Sequence, residues 1–173
     1  EMLHADGRSM LTALICAEDF VGRLSGCMDM PLPIDCRGTL NTLGAAVVYG
    51  KLKAFTPRQF ADALWLALHQ LNGIRQGTHF QLSQGFSAMH GLLAADLAAR
   101  GLKGVDEPCA ELKRLHNIFI RNLSPDDMME QLGKVFYSTT TFKAWPACRA
   151  THAGIECAVN IAKQTSIQPD KIR

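Results

Sequence analysis

A chain of 173 residues is long enough to bury a full core within one ordinary domain. Its 47% hydrophobic and 20% charged content belongs to a globular protein and excludes a disordered chain. A net charge of +2, with no block of five basic residues, gives no reason to expect a nucleic-acid partner or an anionic membrane surface.

In chain order, apolar residues at 10, 11, 14, 15, 17, 21 and 24 recur with a helical period, so a helix is expected over Ser9 to Leu24. Gly26 to Arg37 holds two prolines and reads as a loop. Gly38 to Leu52 is helical and carries Gly44, Ala45 and Ala46 at its middle, small residues that suit a buried helix. Thr56-Pro57-Arg58-Gln59 is a helix start, with Thr as N-cap, Pro at N1 and Gln at N3. The helix that follows is expected to bury Phe60, Leu64, Leu68 and Leu71.

Asn72 to Gln84 reads as a polar connection. Phe86 to Arg100 is an Ala-rich helix with Gly101 placed to cap its end. Short helices are expected over Pro108 to His116 and from Ser124-Pro125-Asp126-Asp127. The character then changes. Val135 to Phe142 is β-branched and aromatic and reads as a strand, and Arg149 to Thr165 reads as a helix. A domain boundary is therefore expected near Gly133: residues 1–133 helical, residues 134–173 the start of an α/β domain. A lone strand and helix cannot bury their own backbone edges, so the sequence reads as an internal piece of a longer protein.

The membrane has no support, since no apolar run reaches spanning length and Glu1 to Asp6 does not read as a signal peptide. Cys16, Cys27, Cys36, Cys109, Cys148 and Cys157 stand in no C-x-x-C spacing, which suits a reducing compartment and an expected cytoplasmic location. The histidines form no H-E-x-x-H pair, so no metal site is expected. Neither a P-loop nor a G-x-G-x-x-G run occurs, so nucleotide binding has no motif behind it.

The segment Phe142-Lys143-Ala144-Trp145-Pro146-Ala147-Cys148-Arg149-Ala150-Thr151-His152 carries the most chemistry. A lysine ends an extended run, Pro146 keeps Trp145 out of the α region, and an arginine opens the next helix. Two cations beside the unpaired N–H groups of a helix start would hold a carboxylate or phosphate. The plain alternative is a solvated edge lysine and a surface arginine.

Four segments in order resemble the MmgE/PrpD family, the group of 2-methylcitrate dehydratase, cis-aconitate decarboxylase and iminodisuccinate epimerase. Asp6-Gly7-Arg8-Ser9-Met10-Leu11-Thr12-Ala13-Leu14 through Arg23-Leu24 is similar to its "s-G-k-x-l-l-x-A-l…R-l" helix. Gly38-Thr39-Leu40 through Gly44-Ala45-Ala46 is similar to the stretch after its "H-P-T-G-T". Gly77 through Gly85, with Gly91-Leu92-Leu93-Ala94-Ala95, is similar to "G-S-x-x-K…G…A…G-l-l-A-A", and Phe142 to His152 to "f-K-x-y-P-x-C-r-x-x-H".

The resemblance implies a helical domain followed by an α/β one, with a cofactor-free active site between them, a homodimer, and small polycarboxylate substrates. It also implies an active-site Asp and His upstream of Glu1. Lys143 matches a family lysine and Cys148 a position held by His or Cys. The histidine of "H-P-T-G-T" falls on Asp35, and the lysine of the glycine-containing loop on Phe80 or Gln81.

The implied chemistry is removal of a proton α to a carboxylate, with stabilisation of the enediolate. Lys143 and Asp35 are the catalytic candidates. Arg149, Cys148, Gln81, His79 and His152 are the substrate-binding ones. A dehydratase of the 2-methylcitrate dehydratase type is expected first. Proton transfer without elimination, as in an epimerase, demands less of these residues, and a non-catalytic homologue with a structural role demands nothing.

Overall fold

The computed structural model describes residues 4–27, 36–70, 80–106, 125–136, 142–164 and 170. The chain divides into two compact units, Glu1–Ser138 and Thr139–Arg173.

The first unit is built from helices α1 (Gly7–Cys27), α2 (Cys36–Leu52), α3 (Pro57–Leu68), α4 (Phe80–Ala99) and the short α5 (Pro125–Met129). Each start and stop has a local cause. The Asp6 carboxylate accepts from the Ser9 backbone N–H at 2.8 Å and so caps α1. Thr56 and Gln59 form the expected capping box on α3, behind Pro57. Gly101, at φ +92°, ends α4. The Gly101 N–H donates to the Ala98 carbonyl and the Leu102 N–H to the Leu97 carbonyl, each at 3.0 Å, the paired closure of a Schellman motif.

Helix α2 lies against α1, α3 and α4, and α3 also packs on α4. Asn41 bonds Gln84, Gly91 faces Thr42 and Ala45, and the Tyr49 hydroxyl donates to Asp96 at 2.8 Å. These pairs rise together in number, so α2 and α4 run parallel. Small residues make the approach close. A Cβ on Gly91 would stand 2.0 Å from the Thr42 carbonyl oxygen, and one on Gly44 would stand 3.1 Å from the Val21 side chain.

The core follows from that closeness. It consists of Leu24, Leu43, Ala46, Ala63, Ala67, Ala94, Ala95 and Ala98, with Phe20, Leu40, Tyr49 and Phe55 packed against it. Thr42 and Ser87 are fully buried. Each hydroxyl returns its proton to the carbonyl four residues earlier, Gly38 and Ser83, so neither is left unsatisfied.

Several expectations move. In α3 the buried positions are Asp62, Ala63 and Ala67. Phe60, Leu64 and Leu68 are half-buried, and Leu71 lies outside the described residues. Asp62 tolerates burial because it accepts from the Gly104 N–H at 2.8 Å and pairs with Arg58 at 3.0 Å. Phe80 to Gln84, read as connection, is the first turn of α4. Gly26 and Cys27 belong to α1, and Cys36 and Arg37 to α2, rather than to a loop.

Among the described residues of the second unit, a 3₁₀ turn, Arg149–Thr151, runs into α6 (His152–Gln164). Among the described residues there is no strand. Of the run read as strand, Val135, Phe136 and Phe142 are irregular, and 137–141 lie outside the described residues, as do 108–116 and Ser124. No described helix is long and apolar enough to cross a membrane.

Candidate functional site

Lys143 to His152 forms a tight local structure. The Ala147 N–H donates to the Trp145 carbonyl at 2.8 Å, a three-residue turn about Pro146 whose fixed φ suits it. That turn presents the Ala147 carbonyl to two side chains. The exposed Lys143 ammonium donates to it at 3.0 Å, and His152 Nε2 reaches it at 3.3 Å. A carbonyl only accepts, so the proton of the neutral imidazole is assigned to Nε2, leaving the lone pair on Nδ1. The Trp145 ring meets the His152 ring edge-on, 5.5 Å between centroids and 85° between planes, which fixes the imidazole plane.

Cys148 is the residue before the helical turn, with φ −61° and ψ 135°. Its thiol is exposed and makes no capping hydrogen bond, while its carbonyl accepts from the Thr151 N–H at 2.9 Å and the Thr151 hydroxyl at 2.7 Å. Arg149, exposed, opens the turn. His152 therefore stands at the junction of the 3₁₀ turn and α6. Lys143, Cys148, Arg149 and His152 thus share one short segment of the second unit. The ammonium keeps two further N–H donors after bonding Ala147.

Gln81 belongs to the first unit, exposed in the first turn of α4. Asp35 and His79 lie outside the described residues. No three His, Cys, Asp or Glu side chains gather as metal ligands among the described residues.

Two features escaped the sequence reading. One is the Ala147 carbonyl as shared acceptor, a turn detail that no side-chain pattern announces. The other is the buried pair Asp19 and Arg23 on α1, 3.1 Å apart. Its signal was present: opposite charges four residues apart, on the helix face that also buries Leu24.

An all-helical domain closed by small residues is the class of protein that the first unit defines. The sequence pattern of the MmgE/PrpD N-terminal domain matches residues 1–132. The chain belongs to the MmgE/PrpD family. No curated protein and no solved structure matches it. Asp35, His79 and Gln81 fall inside the matched stretch, whereas Lys143, Cys148, Arg149 and His152 follow it.

Proposed function

We propose that the protein acts as a cofactor-independent lyase of the 2-methylcitrate dehydratase type, on a small di- or tricarboxylate. The supporting observation is the Lys143 ammonium, exposed and oriented by the Ala147 carbonyl beside His152, in a chain of this family.

A base takes the proton α to a carboxylate, and the electron pair moves into an enediolate. Lys143, with Arg149 beside the helical turn, stabilises that charge. The pair then forms the carbon–carbon double bond as the β-hydroxyl leaves with a proton, as water. Asp35 is the base in this reading. Cys148, Gln81, His79 and His152 contact the substrate. In this reading residues 134–173 begin an α/β domain.

The epimerase reading draws on the residues Phe80 and Gln81, neither of them a cation, at one of which the resemblance places the family lysine. Exchange of a proton needs no acid to expel hydroxide. The reading also takes the protein as a cytoplasmic homodimer. Leu82, Phe86, Met89 and Leu93, spaced four, three and four residues apart along α4 and about half exposed, support an apolar face for a partner copy.

The test is incubation of the protein with hydroxy-di- and tricarboxylates in D₂O, followed by NMR. A dehydratase yields the unsaturated acid. An epimerase yields deuterium at the α-carbon with the hydroxyl retained. Neither change with any substrate would point to the non-catalytic homologue.

A further inference from the structure

Arg23 is 4% exposed, and its guanidinium is spent on a stretch of chain more than a hundred residues away. Nη1 donates to the Met128 carbonyl at 3.1 Å and the Glu130 carbonyl at 2.7 Å, and Nη2 to the Val135 carbonyl at 2.6 Å. Nε donates to the Asp19 carboxylate, 3.1 Å from each oxygen, which supplies the counter-charge that burial demands. The planar fork of an arginine suits this divergent set of acceptors, and a lysine ammonium does not.

Among the described residues, little beyond Met128, which packs half-buried against the core, holds this stretch besides Arg23. Helix α5 is a five-residue helix, too short to stand alone. Residues 129–136 are all exposed, with Met129 at 63% and Phe136 at 58%. Gln131 sits at φ +50°, a conformation that side chains other than glycine rarely adopt unaided. Yet the segment keeps ordered turns, with the Lys134 N–H donating to the Gln131 carbonyl at 3.0 Å and the Val135 N–H at 3.1 Å. The Arg23 bonds to Met128, Glu130 and Val135, together with the packing of Met128 on the core, account for that order. Two of the carbonyls lie in and just past the last turn of α5, where they lack helical partners and attract a cation.

We propose that Arg23 is a latch that straps Met128–Val135 onto α1. The strap ends just before the division between the two units, on the chain path to Lys143. The latch therefore fixes where the chain leaves the helical unit, and its release frees the connection while the α2–α4 core stays folded. This inference stands apart from the proposed reaction and needs no activity to test.

Trypsin cleavage after Lys134 reads the strap directly. In the 173-residue chain, Arg23→Lys keeps the pairing with Asp19 but loses the three-carbonyl grip. It should be cut after Lys134 about tenfold faster than the wild type or more, with the helical circular dichroism retained. Wild-type hydrogen exchange gives a second reading that does not depend on the variant folding. The Lys134 and Val135 amides should exchange about a hundredfold more slowly than in an unstructured chain. Cleavage of a folded Arg23→Lys at the wild-type rate would overturn the latch. So would wild-type amides that exchange as freely as an open loop.

Discussion

The contact between α2 and α4 and the segment from Phe142 to Gln164 treat glycine in opposite ways. Gly91 stands where α4 meets the α2 backbone, with no room for one carbon. Gly154 in α6 has nothing within 4 Å of an added Cβ, and no residue of α6 is buried. The first region gets its definition from close packing, which is unforgiving of volume. The second gets it from a turn, one carbonyl and a half-buried ring pair, which leave most of its side chains exposed. Stability concentrates in the first region, and the cationic groups that chemistry would use concentrate in the second.

The comparison breaks most easily at Gly91. Gly91→Ala drives a methyl into the Thr42 carbonyl and Ala45, and either α2 or α4 must move. A loss of about 3 kcal/mol is expected, at the upper end for overpacking. Thermal unfolding should show it as a fall of roughly 6–12 °C in midpoint. An unchanged midpoint would mean that the two helices do not approach as described.

Thr56→Ala comes next. It removes the hydroxyl that accepts from the Gln59 N–H and so dissolves the capping box on α3. The expected loss is about 1 kcal/mol, read as a lower urea midpoint at constant slope. Gly154→Ala should run the other way. With no contact to disturb, it restores helix propensity and should stabilise α6 by about 0.5–1 kcal/mol. Slower hydrogen exchange of the α6 amides would show this, and faster exchange would mean that the open surroundings of Gly154 are misread.

The smallest expected effect lies at the far end of the α2–α4 contact and depends on pH. The hydrogen bond from Arg100, then that from Tyr49, holds the Asp96 carboxyl below its ordinary value. A carboxyl lowered by folding contributes stability above the ordinary carboxylate range, and that contribution is lost as pH falls through the lowered value. Tyr49 is raised, by burial first and then by its bond to Asp96. Its contribution is full below the ordinary phenol range, near about 10, and is lost as pH rises through the raised value. Asp96→Asn should therefore flatten the acid limb of the urea-midpoint profile below about pH 4. Persistence of the full acid limb would place that dependence elsewhere.

What the sequence disclosed was mostly local. The Thr56 start and the Gly101 stop depend on a few adjacent residues, and both are present as read. The beginning of α4 did not disclose itself. Gln81, Ser83, Gln84 and Gly85 have the composition of a loop, and what makes them helical is packing against α2 through Asn41 and Gly91. The inward face of α3 was read in part, since Leu64 and Leu68 pack half-buried against the core while Ala63 and Ala67 take its fully buried positions. Large apolar residues at 60, 64 and 68 outweigh Ala63 and Ala67 in any periodicity, but two close helices leave space only for alanine. Asp62 could be buried because Gly104, far along the chain, donates to it and Arg58 pairs with it. In the candidate site, the residue types of Lys143, Cys148, Arg149 and His152 were legible. The carbonyl that Lys143 and His152 share was not, since it comes from backbone direction.

The central claim is that Lys143 stabilises charge on a carboxylate substrate, and turnover of Lys143→Met measures it most directly. The substitution keeps most of the apolar stem and removes the ammonium. A drop in kcat of roughly a hundredfold or more is predicted, the scale for losing one preorganised electrostatic group. A raised KM with kcat unchanged would make Lys143 an anchor for substrate instead. With both constants unmoved, Lys143 would be a solvated surface residue and the account of this site would be contradicted.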